Sequence, residues 1–589
     1  MKKVAVWGSV LMLLALLPGR ALAQNAQDGD NTAFNLTLTD QIGDCMLADT
    51  NYYGYSRSVI TGSDLDQDGI KEIIVTDYYN GGRIHVFEVT DGALEEVWCV
   101  SGTDNPYGYG PRSVTTGDLD GDGYGEIIVA MTGGGGDTNR LHVGLWVYEW
   151  NGNDNEYGEY DANTGNWVPS ERIIEFGFEG DTLFPDRYRC EDVVVGDFDA
   201  DGVQEVLWVN NGGSAFDNAY IFSIVGDIGS HFITVDVEAV FKRLELGWGG
   251  SSVSGFATDL DADGLQDLVV MIWNNIGFQI IEATAPNTYE AKAYFDNIDT
   301  EDRYPFAKIV DAYDMDNDGK PEMVIGALLR SRFYVVEAGD DVTADQITIH
   351  GPVEFMENDS TAMYSLLGLR VGDQDHGPGT DGADIYFTDN HQRVMDLEFT
   401  GTDLGDPASY TAYTLMAPED FWQDSAQFTD SLGNPVWVHY WLQPSVAIAL
   451  GNDLDDDGNK EVVFCAYESR DNSDYPRMTV ETGLLNVLEF NDVGVEEWTL
   501  KPSDVVKLHL QPTVVKDEAR LSFNLRTRGR VTAEVFDVSG RRVARVFQGN
   551  LEPGAHSLTV NTAGLASGVY VVRLHTPDGL RIARMVVTH

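Results

Sequence analysis

Residues 64–75 read Asp64-Leu65-Asp66-Gln67-Asp68-Gly69-Ile70-Lys71-Glu72-Ile73-Ile74-Val75. Acids stand at positions 1, 3, 5 and 9 of this segment, a glycine stands at position 6, and a β-branched run follows. The segment returns as DLDGDGYGEIIV from Asp118, DFDADGVQEVLW from Asp197, DLDADGLQDLVV from Asp259, DMDNDGKPEMVI from Asp314 and DLDDDGNKEVVF from Asp453. A broken copy, DQDHGPGTDGADIYF, begins at Asp373, which makes seven. Successive copies lie 54, 79, 62, 55, 59 and 80 residues apart.

Working outward, each copy sits between strand-like segments. Arg57-Ser58-Val59-Ile60-Thr61 precedes the first, and Ile84-His85-Val86-Phe87-Glu88-Val89 and Leu94-Glu95-Glu96-Val97-Trp98-Cys99 follow it. Gly- and Asn-rich turns such as Asn80-Gly81-Gly82 separate them. Four short strands per repeat, with no long amphipathic helical pattern, predict an all-β fold, a seven-bladed β-propeller. An EF-hand needs flanking helices and a Glu at loop position 12, and neither is found here. Two segments compete for the outer strand that closes the ring, residues 34–47 and residues 495–500.

The repeats resemble the FG-GAP/VCBS repeats of integrin α-subunit heads and bacterial surface proteins, over roughly residues 50–500. The aromatic-Gly elements Tyr53-Gly54-Tyr55 and Tyr107-Gly108-Tyr109 fit as well. The resemblance implies that the acidic loop joins the first two strands of each blade and binds calcium. The chemistry of the residues agrees. Calcium takes six to eight oxygen ligands, and position 7 adds a backbone carbonyl to the four carboxylates. A set without His or Cys disfavours zinc and copper.

The expected ligands of the first loop are Asp64, Asp66, Asp68, the Ile70 carbonyl and Glu72. The second has Asp118, Asp120, Asp122, Tyr124 and Glu126; the third Asp197, Asp199, Asp201, Val203 and Glu205. The fourth has Asp259, Asp261, Asp263, Leu265 and Asp267; the fifth Asp314, Asp316, Asp318, Lys320 and Glu322; the last Asp453, Asp455, Asp457, Asn459 and Glu461. Six calcium ions are expected. A seventh at the Asp373 loop stays open, because His376 to Thr380 break the spacing ahead of Asp381 and Asp384. An isolated loop of this kind has a solvated Asx-turn as its lesser alternative; six in register favour the metal.

The net charge is -59, yet from Pro502 onward 12 Lys+Arg face 7 Asp+Glu, so the acid excess lies upstream. Such a field repels nucleic acid and anionic membranes and attracts cations. Lys2, Lys3, the apolar run Val4–Leu17 and Ala21-Leu22-Ala23 read as a signal peptide spanning residues 1–23. No later run is long enough for a transmembrane segment. Cys45 and Cys99 each stand 19 residues before a repeat, and whether they pair is left open; Cys190 and Cys465 complete the set.

Three domains follow: the signal peptide, a propeller over 24–501, and a small Ig-like β-sandwich over 502–589. The last reads as alternating strands around Asp537-Val538-Ser539-Gly540-Arg541-Arg542-Val543, Ser567-Gly568-Val569-Tyr570 and Arg581-Ile582-Ala583-Arg584-Met585. It is similar to the type A C-terminal sorting domain of the type IX secretion pathway. That implies a secreted or surface-attached protein of a Bacteroidota-type bacterium, with the type IX machinery as partner.

No GxSxG, HExxH or phosphate-binding Gly fingerprint is present. Rim loops opposite the acidic loops offer Tyr78, Tyr79, Asn210, Trp273, Asn274, Arg330, Arg332, His391 and Arg393, with Trp248, Tyr304 and Trp437–Trp441 beside them. Rings with amides suit a glycan or protein ligand. The expectation is a recognition or adhesion propeller. The alternatives are a secreted polysaccharide-degrading enzyme and a structural surface-layer component.

Overall fold

The computed structural model describes residues 34–40, 56–78, 82–90, 93–101, 110–132, 144–173, 190–211, 217–273, 276–299, 310–327, 332–354, 366–374, 383–416, 421, 423–429, 435–455, 460–471 and 485–490, and, further on, 509–511, 514–516, 518–525, 528–537, 542–551, 554–562, 564–576 and 579–588. The expected signal peptide, Cys45, the two aromatic-Gly elements, Tyr79, Asn274, Tyr304, Arg330, His376 to Thr380, Asp381, Asp457 and Asn459 lie outside these residues. The chain divides into two compact units, with the boundary between Val495 and Glu496.

Among the described residues the first unit holds seven antiparallel sheets, whose strands are lettered A to D from the inside out, and a small two-stranded one, Glu159–Asp161 with Asn166–Val168. Sheet 1 holds Ser56–Ser63, Glu72–Asp77, Arg83–Thr90 and Ala93–Ser101. Sheet 2 holds Gly110–Gly117, Glu126–Thr132, Gly144–Glu149 and Glu171–Ile173; sheet 3 holds Cys190–Gly196, Glu205–Asn211, Asp217–Val225 and Thr234–Lys242. Sheet 4 holds Ser251–Thr258, Asp267–Trp273, Gly277–Ala285 and Thr288–Phe295; sheet 5 holds Val310–Tyr313, Glu322–Ala327, Arg332–Ala338 and Ile347–Glu354. Sheet 6 holds Leu366–Gly372, Asp384–Asp389, Arg393–Phe399 and Tyr410–Met416. Sheet 7 holds Pro435–Gly451, Glu461–Arg470, Leu485–Phe490 and, outermost, Phe34–Asp40.

Each A strand packs on the A strand of the next sheet, and that of sheet 7 packs on that of sheet 1. The seven sheets therefore close a ring, a β-propeller-like architecture. Of the two candidate closing strands, the N-terminal one takes the outer edge: Phe34 pairs with Phe490 and Asp40 with Leu485. Tying the beginning of the chain to its last sheet leaves the ring without a free seam.

The core lies between sheets, because every B strand is apolar on both faces. Ile73 to Asp77 and Ile127 to Thr132 are buried at every position. One cluster joins Ile74, Val86 and Trp98 of sheet 1 to Val114, Ile127 and Val129 of sheet 2. Equivalent clusters join sheets 2 and 3, 3 and 4, 4 and 5, and 5 and 6. Glycine permits the closest approach: a Cβ on Gly368 of sheet 6 would lie 2.4 Å from the carbonyl oxygen of Val446 in sheet 7.

The first half of Pro435–Gly451 pairs with an extra strand, Gln423–Thr429, in register from Trp441/Gln423 to Pro435/Thr429. This hairpin extends from the end of sheet 7 opposite its acidic loop.

The second unit has a three-stranded sheet, His509–Gln511, Glu518–Leu525 and Gly554–Asn561. Its five-stranded sheet holds Val514–Val515, Gly579–Val587, Gly568–Thr576, Gly529–Asp537 and Arg542–Leu551. Leu521, Phe523 and Val560 of the first sheet share one buried cluster with Val531, Ala533, Val535, Val572, Leu574 and Met585 of the second.

Candidate metal centre

In the six intact copies the acidic segment links the end of strand A to the start of strand B. The chain turns there because the loop satisfies its own backbone. The N–H of Gly69 donates to Asp64 Oδ2 (3.2 Å), that of Asp68 to Asp66 Oδ1 (3.3 Å) and that of Ile70 to Asp68 Oδ1 (2.7 Å). The same three bonds recur in the loops of Asp118, Asp197, Asp259 and Asp314. Each Asp thus commits at least one oxygen to a loop backbone N–H, and Asp197, Asp259 and Asp314 commit both.

Two loop positions adopt left-handed backbone. Position 6 has φ of 96° at Gly69 and 95° at Gly264, where glycine is the unstrained residue. Position 4 is also left-handed, at 61° in Gln67 and 59° in Ala200, a feature the DxDxDG spacing does not announce.

The acid at position 9 opens strand B and is buried in every intact copy: Glu72, Glu126, Glu205, Asp267, Glu322 and Glu461. Each accepts the N–H of position 2, as in Leu119 to Glu126 Oε2 at 2.9 Å and Met315 to Glu322 Oε2 at 2.7 Å. The other oxygen of Glu126, Glu205 and Glu322 is buried with no hydrogen-bond partner. A buried carboxylate oxygen without a donor is costly unless it is protonated or meets a cation.

Burial, followed by the neighbouring loop aspartates, drives these acids far above the carboxylate range. Glu126 is pushed up to about 9, and Glu72, Glu205, Asp267, Glu322 and Glu461 to about 8. Backbone hydrogen bonds oppose the rise without cancelling it. The loop aspartates converge on the same point. Ligand atoms of Asp197, Asp199, Asp201 and Glu205 lie within 4.8 Å of one another, as do those of Asp64, Asp66 and Glu72, and of Asp118, Asp120 and Asp122. This oxygen-only set suits a hard divalent cation.

The loops are shared between sheets. The second oxygen of Asp66 accepts the N–H of Asn155, from the C–D connection of sheet 2, at 2.8 Å. Asp120 accepts Ile228 N–H of sheet 3 at 2.8 Å, and Asp199 accepts Asn287 N–H of sheet 4. Tyr157 of sheet 2 donates its hydroxyl to Glu72 at 2.8 Å. Sequence reading missed these partners, although Asn155-x-Tyr157 and Asn287-x-Tyr289 are a repeated signal.

In the broken sixth copy, Asp384 occupies the strand-B start. It is buried and accepts the hydroxyl of Tyr386 at 2.7 Å.

The rim candidates stand at the opposite ends of the B strands, and several are engaged in packing. Tyr78 lies between Arg57 and Arg112, with guanidinium carbons 4.1 and 5.2 Å from its ring centroid. Arg112 also pairs with Glu191 at 2.6 Å. Asn210 is buried and its carbonyl accepts Ser252 Oγ at 2.7 Å; Trp273 packs at the edge of the core between sheets 4 and 5. Arg332 is buried against Asp299 and Glu354. Arg393 and His391 both flank Asp389. Trp248 is in the core and donates to Gln279, whereas Trp437, on the projecting hairpin, is 57 % exposed.

Cys99 is disulfide-bonded, and Cys190 and Cys465 are buried free thiols. No helix among the described residues is long and apolar enough to cross a membrane.

Comparison with known proteins assigns both parts. Residues 64–129 match the FG-GAP-like repeat, and residues 512–588 match the secretion system C-terminal sorting domain. The chain thus carries an FG-GAP-like repeat within its β-propeller-like unit and a sorting tail of the type IX secretion system at its C-terminus. That tail directs it to secretion or to the outer-membrane surface. No curated protein matches the chain significantly.

Among solved structures, PorZ, a surface component of the type IX secretion system of Porphyromonas gingivalis, is 11% identical with a TM-score of 0.24, over 96% of this chain and 86% of that one. A lectin from Burkholderia pseudomallei is 11% identical with a TM-score of 0.36, over 70% of this chain and 97% of that one. An exo-inulinase from Aspergillus awamori is 10% identical with a TM-score of 0.31, over 75% and 96%. None of these likenesses carries an activity to this chain.

Proposed function

We propose that this protein is a calcium-stapled recognition propeller, exported after removal of residues 1–23 and displayed at the cell surface through its C-terminal domain. The acidic loops hold six calcium ions, and the opposite rim meets a glycan or protein ligand. One observation carries the reading: the position-9 acids of equivalent loops are buried, and Glu126, Glu205 and Glu322 each keep an oxygen without a donor beside converging aspartates.

Calcium would be held by the carboxylates at positions 1, 3, 5 and 9 and the carbonyl at position 7. It would supply positive charge and structural closure, with no reacting group. Because the first three loops also receive an N–H from the next sheet, an ordered loop there fixes the neighbouring C–D connection as well. The exposed Trp437 on its hairpin favours contact with a ligand on the rim opposite the loops.

The test is binding of the calcium-loaded protein to a panel of surface glycans and outer-membrane proteins, with Trp437→Ala beside it. Retention of a ligand that the variant loses supports recognition. Turnover of a glycan instead would replace recognition with catalysis.

A further inference from the structure

Strand C carries an acid that the loop motif does not contain. Its outer half reads Phe87-Glu88, Tyr148-Glu149, Phe222-Ser223, Ile281-Glu282, Val336-Glu337, Leu397-Glu398 and Leu488-Glu489 in the seven sheets. Six of these seven pairs place glutamate directly after a buried apolar residue. In four sheets the register sets that glutamate opposite the acid that opens strand B. Glu126 pairs with Glu149, Asp267 with Glu282, Asp384 with Glu398 and Glu461 with Glu489. Two carboxylates directly opposite on neighbouring antiparallel strands repel one another. A repeat that keeps such a pair needs something positive between or beside them.

Sheet 4 contains that partner within the protein: Glu282 is bound by Lys292 of strand D at 2.5 Å. In sheet 5, Glu337 meets His350 of strand D at 2.9 Å. Sheets 1 and 2 are built differently. Glu88 is 4% exposed, and its Oε1 is buried with no hydrogen-bond partner. Its carboxylate lies with those of Asp66 and Asp68, all within 4.8 Å. Glu149 is half-buried, stands opposite Glu126, and has an Oε1 without a partner and an Oε2 set against Gly229 of the next sheet.

We infer that Glu88 and Glu149 are additional ligands of the cations at the first two acidic loops, giving these two sites one carboxylate more than the motif provides. The inference rests on the calcium reading above. Affinity rises with ligand charge count, so sites 1 and 2 are the tighter class and sites 4 and 5 the weaker. The added ligand also ties strand C to the A–B loop, so each of these ions clamps three strands of its sheet.

The test uses the full mature chain, stripped of calcium and titrated with calcium alone by calorimetry, as wild type, Glu88→Gln and Asp68→Asn. The expected result is that Glu88→Gln weakens one tight site by about tenfold or more. It should also raise the melting temperature of the calcium-free chain, because a like-charge pair is gone, while shrinking the gain that calcium gives. A glutamate with only a packing role would lower both melting temperatures together, which overturns the inference. An unchanged isotherm for Glu88→Gln beside a lost site in Asp68→Asn also overturns it and leaves the calcium reading standing. Unchanged isotherms in both variants overturn both. Should Glu88→Gln fail to fold, Glu149→Gln at the second loop carries the same comparison.

Discussion

Stripping the metal and raising the pH should weaken this fold, and the position-9 acids set the size of the effect. In the metal-free chain burial pushes Glu126 from 4.5 up to about 9. A carboxyl with a raised folded-state pKa stabilises the fold while it is protonated. Its contribution is complete below the ordinary value and is lost as pH rises through the folded one. Each pH unit between the two costs about 1.4 kcal/mol for one such group, so Glu126 alone gives up about 3 kcal/mol between pH 5 and pH 7. Five more acids, pushed up to about 8, act in the same direction. Calcium reverses the trend, because it binds the deprotonated ligands and its stabilisation grows with pH. Differential scanning calorimetry of the stripped protein at pH 5, 6, 7 and 8, with and without calcium, measures this directly. The melting temperature should fall steadily without calcium and hold or rise with it. A metal-free melting temperature that is flat or climbs between pH 5 and 7 would refute the reasoning.

Other consequences are simpler to read. Gly264→Ala meets no atom within 4 Å, so its cost is the left-handed backbone alone, about 1 kcal/mol, and is visible as a modest loss of calcium-loaded stability. Gly368→Ala drives a methyl against the Val446 carbonyl between sheets 6 and 7, and should lower the melting temperature far more. Burial raises the thiol of Cys190 well above its usual range and that of Cys465 up to about 12. A thiol reagent should therefore find no reactive cysteine in the native protein and two after denaturation. Deleting residues 512–588 should leave the chain inside the outer membrane, as cell fractionation would report.

The β-branched runs between Gly- and Asn-rich turns and the repeated DxDxDG segment made strands, repeat number and loops legible from sequence, because both are local and recur. Phe34–Asp40 was harder, since pairing Phe34 with Phe490 is a contact across the whole first unit that no local pattern encodes. The rim candidates were legible only as residue types. Sequence cannot separate Arg332, held by Asp299 inside the fold, from Trp437, which faces solvent. The carboxylates of the loops were found by spacing, yet their inter-sheet donors, Asn155, Ile228 and Asn287, lie about 90 to 110 residues away. Glu88 and Glu149 escaped for a different reason: a glutamate at a strand end reads as solvated until its register opposite another acid is known.

The most direct test of the account is the calcium stoichiometry of the mature protein, by calorimetric titration after chelation and re-measured melting. The account predicts at least six ions per chain, from the six intact loops, with a large rise in melting temperature. One ion or none, with no change in stability, would contradict it, leaving the acidic loops as turns and the buried acids as protonated hydrogen-bond partners.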